Sequence, residues 1–307
     1  MEKILFLFLH LGLPLVLMVH YILKKFKSKV DLIISTILYV SLFFFLYLWG
    51  QWPIVGSYYL RYLMMVAIVI SFFFYFIKNP LIKKSNYIGR YAKIRISIIG
   101  LFSLLIILFN IKILLTNDNY LYDAVSLSFP LKGGEFYISS GGANNLMNNH
   151  LRNYQSSQQY AIDINKLNEY KSISRHILSK RNIDHYIFSD TVYCPCNGIV
   201  QKVKNNVQDN LESSMNVKSA DGTGNYVYLK CKNKYIRMLH LKNNSISVSE
   251  RMKVKVGMPL GLVGNSGFSQ EPHLHIQASI YNSDSTLIGV PIKFGGRVLS
   301  RNCVYKN

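Results

Sequence analysis

Acid is scarce in this chain: 15 Asp and Glu stand against 35 Lys and Arg in 307 residues, a formal net charge of +20. Charge of either sign nearly vanishes from long parts of the first third. Ile4 to Leu23 runs 20 residues without Lys, Arg, Asp or Glu, and Leu32 to Leu60 contains a second uncharged run. A third run, from about Val55 to Ile77, admits only Arg61, and a fourth, Ile96 to Leu115, admits only Lys112. Such poverty of charge excludes a water-facing surface there, and each run is long enough to cross ~30 Å of hydrocarbon as a helix. The first is too long for a signal-peptide core, and no small-residue cleavage pattern follows it. Four transmembrane helices are expected, in a membrane domain of residues 1–117, followed by a second domain of residues 118–307.

The charges that remain set an orientation. "KKFKSKVD", after the first run, carries Lys24, Lys25, Lys27 and Lys29. "GQWPIVGSYY", after the second, carries none, and "KNPLIKKSNYIGRYAKIR" carries Lys78, Lys83, Lys84, Arg90, Lys93 and Arg95. Basic connections stay inside, so the order basic, neutral, basic places both termini, and everything after Leu115, outside. Residues 1–115 hold 13 basic against 2 acidic residues, leaving 22 against 13 for the rest. That second excess suits an anionic surface such as a cell wall or lipid headgroups as well as it suits a plain soluble domain. No nucleic-acid module accompanies it. The apolar runs show no charge pairs or interrupted helices of the kind that transport needs. His10 and His20 lie in the first run and receive no role.

Cysteine is nearly absent too. All four, Cys194, Cys196, Cys231 and Cys303, lie in the outer part, where an oxidising compartment permits disulfides. Cys194 and Cys196 flank Pro195 too closely for an easy bridge to each other, and the pairing stays open. They are a weak signal for a thiolate zinc site, which needs more thiols at ligand spacing.

What the outer part has is short strands. "EFYISS", "YAIDI", "GIVQKV", "NYVYLKC", "YIRMLHL", "PLGLVG" and "HLHIQASI" are rich in Val, Ile and Tyr, and turns such as "ADGTGN" and "GNSG" separate several of them. Gly222, Gly224, Gly264 and Gly267 read as turn residues, where positive φ is cheap. "NKLNEYKSISRHILSKRNIDHYIFSD", from Asn165 to Asp190, reads as a charged insertion open to a helical reading, with His176 and His185 on its surface. The fold class expected is therefore a membrane α-helical region plus an all-β, mainly antiparallel domain.

Polar residues interrupt three of these strands. In "EPHLHIQA", side chains alternate between two faces, so His273, His275 and Gln277 share one and Leu274 and Ile276 the other. Two imidazoles so placed suit a zinc site, and a solvated histidine pair is an equal reading of this stretch alone. In "YAIDI", Asp163 lies opposite Ile162 and Ile164; in "RMLHL", His240 alternates with Leu239 and Leu241. An Asp or His among strand-core residues costs stability unless it is paired, solvated in a cleft or bound to a metal. Four such residues point to one shared polar cleft.

Together these motifs resemble a known family. "GLVGNSGFSQEPHLHIQ", with "MLHL", "GNYVYLKC" and "DTVYCPCNGIV" upstream, is similar to the lysostaphin-type zinc metallopeptidases, which cut peptide cross-links in bacterial cell walls. The resemblance spans roughly Leu127 to Ile292 and none of the membrane part. It implies a lysostaphin-like fold, a Zn2+ cofactor and enzymatic hydrolysis of peptidoglycan. It also implies Asp163 and His275 as metal ligands, with His240 and His273 as catalytic groups that do not bind the metal. One position departs from the pattern. Where the family has a histidine four residues before the Asp, this chain has Gln159, and a neutral amide is a poor zinc ligand. Either His150, in "LMNNHLRNYQSSQQYAID", supplies the third ligand, or the site is degenerate and the domain only binds cell wall or regulates another hydrolase. The expectation is the former: a metal held by His150, Asp163 and His275 in a multi-pass cell-membrane protein. Its partners would be the lipid bilayer and a peptidoglycan peptide, with no nucleic acid.

Overall fold

The computed structural model describes residues 2–26, 28–78, 89–115, 124–152, 156–212 and 221–307. The chain forms two compact units, Met1–Leu115 and Thr116–Asn307. The domain boundary expected between residues 117 and 118 lies outside the described residues.

The first unit contains α1 (Glu2–Leu7), α2 (Leu13–Leu23), α3 (Lys29–Trp49), α4 (Leu60–Lys78) and α5 (Arg90–Leu115). One π-helical turn, Phe8–Gly12, joins α1 to α2, so Ile4–Leu23 is a continuous span. That span and α3, α4 and α5 are four helices long and apolar enough to cross a membrane. Large apolar side chains such as Leu15, Val19, Phe73 and Leu101 stay exposed along them, a pattern that suits hydrocarbon rather than water.

Three details differ from the sequence reading. The third span starts at Leu60 rather than Val55, because turns occupy residues 52–56 and 58–59. Pro53 removes a helical N–H there and Gly56 takes φ 141°. The first span is continuous but not α-helical throughout: Pro14 has no N–H to close an α-turn, and the turn before it widens so that Leu13 N–H bonds Phe8 O. Buried His10 sits in that wide turn, donating Nδ1–H to Phe6 O (2.9 Å) and accepting Gln51 N–H at Nε2 (3.1 Å), the bonds of a neutral imidazole. A charge pair is present as well. Asp31 on α3 is buried and meets Arg95 of α5 at 2.8 Å. Both charges lie one residue outside the apolar runs, where counting charge within a run cannot see them.

The second unit is built of strands. Val125–Leu127 (β1), Glu135–Ser140 (β2), Ile162–Leu167 (β3), Thr191–Tyr193 (β4) and Gly198–Lys204 (β5) come first. Asn225–Cys231 (β6), Lys234–Leu241 (β7), Lys253–Val254 (β8), Pro259–Leu262 (β9) and Leu274–Tyr281 (β10) follow. Leu287–Val290 (β11), Ile292–Phe294 (β12), Arg297–Val298 (β13) and Val304–Lys306 (β14) complete the strands among the described residues. The main sheet runs β14-β2-β3-β10-β7-β6-β5-β8, with β11 beside β10. Its pairings are antiparallel, whereas β1 and β12 pair in parallel in a small separate sheet. Alternation sorts the faces. Ile162, Ile164, Val227, Leu229, Ile236, Met238, Leu274 and Ile276 enter one core, and Asp163, Tyr228, Arg237, His275 and Gln277 fall opposite. Cys196 and Cys231 form a disulfide, and Cys194 and Cys303 are free.

The Asn165–Asp190 insertion is not an α-helix. β3 continues through Leu167, Ser174 bridges His185, and Asn182–Asp184 is a single 3-10 turn. Serine hydroxyls bond locally, Ser172 to Ser174 O, Ser174 to His176 O and Ser179 to Asp184 Oδ2. Such bonds compete with helical backbone bonding. His176 is exposed as expected, but His185 is buried.

Candidate metal centre

Register brings the first two groups together. His275 on β10 is the antiparallel partner of Asp163 on β3, and its Nδ1 lies 3.1 Å from Asp163 Oδ1. His150 arrives from a short 3-10 segment, Asn149–Arg152, and its Nε2 stands 2.8 Å from Asp163 Oδ2. One donor atom from each of the three lies within 4.8 Å of the others. Two imidazoles and a carboxylate so spaced are a donor set that zinc accepts, with a fourth position left for water.

A fixed amide decides which nitrogen of His275 is free. Gln277 donates Nε2–H to Ser157 O (2.9 Å), so its Oε1 is the acceptor turned to His275 Nε2 at 3.1 Å. His275 therefore carries its proton on Nε2, and its Nδ1 lone pair faces the Asp163 carboxylate. Two acceptors at that distance repel unless a cation or a proton lies between them. The residues fit a metal ion.

His273 and His240 hold the opposite tautomer. Each donates Nδ1–H to a backbone carbonyl at 2.8 Å, His273 to Glu271 and His240 to Ser266. Each keeps its Nε2 lone pair, and that of His273 lies 3.7 Å from Asp163 Oδ1. The rings of His240 and His273 are 5.0 Å apart, and His240 is 5.8 Å from His275. His240 reaches this position through a bulge. Asn225 pairs with Leu241 and Tyr226 with Leu239, leaving His240 unpaired at φ 63°. A non-glycine residue in the left-handed region is uncommon, and such positions gather at functional sites. Simple strand alternation does not foresee it.

The electrostatics follow from burial and neighbours. Burial raises the Asp163 pKa, but His150, His273 and His275 outweigh it and hold the carboxyl well below its usual range. Burial pushes His150 down, and Asp163 reverses that to a net rise. Burial, then His273 and His275, drive His240 well below an ordinary imidazole, and burial lowers His275. The site thus holds an ionised acid and a neutral, proton-accepting His240.

One near residue and one remote residue steady the His150 segment. Asn148 donates to Gly142 O, Ala161 O and Gln159 O (2.8, 3.2 and 3.3 Å) and accepts the His150 N–H (2.9 Å). Arg301 donates to Ser139 O, Leu146 O and Asn149 Oδ1 (2.9, 3.0 and 2.9 Å). Gln159 lies in the turn before β3, and it is His150 that stands beside Asp163. All five residues expected from the sequence are brought together here. Asn148 and Arg301 were missed because nothing local marks them, whereas the spacing of Gln277 from His275 was a usable signal.

Residues 183–286 match the profile of peptidase family M23. The second unit carries a peptidase M23 domain. The matched segment of this M23 domain holds His240, His273 and His275, and the other two site residues, His150 and Asp163, precede it. Among solved structures, one similar to it is a mutant catalytic domain of the prophage-encoded M23 protein EnpA from Enterococcus faecalis. Identity is 18%, covering 52% of this chain and 92% of that chain, with a TM-score of 0.31. The catalytic domain of lysostaphin from Staphylococcus simulans is 20% identical, covering 52% of this chain and 88% of that one, TM-score 0.28. A zinc-containing peptidase from Vibrio cholerae is 17% identical, covering 60% of this chain and 41% of that one, TM-score 0.31. No curated protein sequence matches the chain.

Proposed function

We propose that this chain is a membrane-anchored zinc metalloendopeptidase that hydrolyses peptide bonds in bacterial cell-wall peptidoglycan. The observation that carries the reading is the division of tautomers. His275 turns Nδ1 toward Asp163, whereas His273 and His240 keep Nε2 as a free base. These hydrogen bonds support His275 as a ligand and His273 and His240 as bases.

His150 Nε2, Asp163 and His275 Nδ1 would hold the metal. Zinc, when bound at such a site, lowers the pKa of its water to about 7 and polarises a carbonyl. His273 or His240 accepts the water's proton at Nε2 as the oxygen attacks the carbonyl carbon. The Nε2–H then donates to the developing oxyanion or returns the proton to the departing amide nitrogen. A C–O bond forms, the C–N bond breaks, and a carboxylate and an amine leave. The carbonyls of Glu271 and Ser266 keep both rings in the productive tautomer throughout. The order of charged connections supports an extracytoplasmic position for this domain, with the four apolar helices as its anchor.

Zinc content of the purified full-length protein and release of new amino groups from sacculi test the reading. Asp163→Ala and His150→Ala should each lower zinc affinity by more than roughly 100-fold, since few ligands remain. His240→Ala and His273→Ala should keep zinc while losing about 10²–10⁴ in turnover. Unchanged zinc affinity in His150→Ala would reduce the domain to a binding module. Metal loss in His240→Ala as complete as in Asp163→Ala would overturn the division of roles.

A further inference from the structure

The open face of the main sheet carries a second set of groups. β5, β6 and β7 contain no Asp or Glu, yet hold Lys202, Lys204, Lys230, Lys234 and Arg237. Register arranges this face in rows. Gln277, Arg237, Tyr228 and Lys202 align across β10, β7, β6 and β5, and Ser279, Tyr235 and Lys230 align in the next row. The Arg237 guanidinium lies over the Tyr228 ring at 4.5 Å, and the Lys230 ammonium lies over Tyr235 at 5.9 Å. Tyr235 meets Tyr228 at 5.7 Å and Tyr281 at 5.2 Å. Lys202, Lys230 and Tyr281 are exposed, and Tyr228, Tyr235 and Arg237 are half-buried. Asp221, an acid close by, is paired with Lys204.

We infer that this face binds a glycan chain together with the carboxylates of the peptides it carries, the polymer whose attached peptides the metal centre cuts. The inference rests on the cell-wall reading for the identity of that polymer. The platform begins beside the metal centre, because Gln277 in its first row is bonded to His275. With strands 4.7–4.9 Å apart, Tyr228 lies about 10 Å from β10. Sugar C–H groups carry partial positive charge and rest against electron-rich aromatic faces. Carboxylates of the peptides along the chain find Arg237 and Lys230, with no acid on these strands to repel them. A bare extended peptide fits less well. It joins a sheet through unpaired edge groups, and β6 and β7 have both edges paired in this sheet.

Co-sedimentation of the full chain, in nanodiscs of zwitterionic lipid, with purified sacculi tests the inference. A chelator is present, so binding is read without turnover. Arg237→Ala and Tyr228→Ala should each weaken binding about tenfold, and Tyr228→Phe should bind as the natural chain does. Carbodiimide amidation of the sacculus carboxylates should weaken binding of the natural chain similarly. Lys230→Glu, at the exposed end of β6, carries the test if Arg237→Ala does not fold. Wild-type affinity in the folded variants overturns the inference. So does a preference for vesicles containing anionic phospholipid, or for single-stranded nucleic acid, over sacculi. Sacculi that bind through this face yet are not cut by the zinc-loaded chain would remove the peptidase reading and leave this one standing.

Discussion

A histidine's chemistry is set by what holds its other nitrogen. His273 and His275 sit two residues apart on one strand face, yet a backbone carbonyl fixes the first as Nδ1–H and a side-chain amide fixes the second as Nε2–H. Gln277 is therefore a positioning residue for a ligand it never replaces. Its amide also ties β10 to Ser157, on the segment that follows His150. Gln277→Leu removes the acceptor and lets the His275 ring take either tautomer. Zinc affinity should then fall by about 10–100-fold, the usual cost of losing an outer partner of a ligand, and Gln277→Glu, which keeps an acceptor, should lose less. A zinc titration against a competing chelator reads the affinity, and ring ¹⁵N shifts of the metal-free protein read the tautomer. If Gln277→Leu binds zinc as the natural chain does, the tautomer argument fails.

Four glycines that read alike as turn residues prove to have different reasons at the scale of elements. The turns around Gly224 and Gly267 dock backbone against backbone. Gly267 takes φ 76°, and a Cβ there would lie 2.3 Å from Gly224 N. Gly224 takes φ 63°, and its Cβ would lie 2.4 Å from Ser266 O. Gly264 has no left-handed backbone and is small because Lys242 passes 2.4 Å from where a Cβ would be, whereas Gly222 has open space around it. Ser266, between the docked turns, accepts the Asn225 N–H, donates to Leu241 O and orients His240 through its carbonyl. Gly267→Ala should cost roughly 2–4 kcal/mol, combining strain at positive φ with a clash that backbone cannot relieve. Gly222→Ala should stay within about 0.5 kcal/mol. Denaturant unfolding of the full-length chain compares them, and equal midpoints for the two variants would show that the docking of the turns contributes no stability.

At the scale of the whole molecule, charge divides the chain by function. Basic residues cluster in the first and third connections between the apolar helices and are missing from the second, the pattern behind our proposal that the first and third lie inside and the second outside. A reporter that is active only outside the cytoplasm, fused after Asn307, should therefore be active. A silent fusion, with the matching cytoplasmic reporter active, would take the M23 domain away from the wall and end the cell-wall assignment. The four helices exceed what tethering requires. The buried Asp31 with its exposed partner Arg95, and the wide turn at His10, have no counterpart in the chemistry proposed for the second unit.

Periodicity alone determined much of this protein. Uncharged runs of about twenty residues can only be helices where no water satisfies the backbone, and the period of two placed His273, His275 and Gln277 on one face of their strand and Asp163 opposite Ile162 and Ile164 on another. The resemblance of "GNSG" and "HLHIQ" supplied roles for His240 and His273. Tertiary structure decided the rest. Cys196 found Cys231 across 35 residues, His240 entered the cleft by leaving strand geometry, and the serines of the 165–190 insertion bonded locally instead of continuing a helix. The place of His150 depends on Asn148 beside it and on Arg301, whose guanidinium reaches Asn149 from 152 positions away in the chain. A repeating pattern records which way a side chain faces, because that is set by its own backbone. It does not record which distant group closes a hydrogen bond, because that depends on how the whole chain comes together.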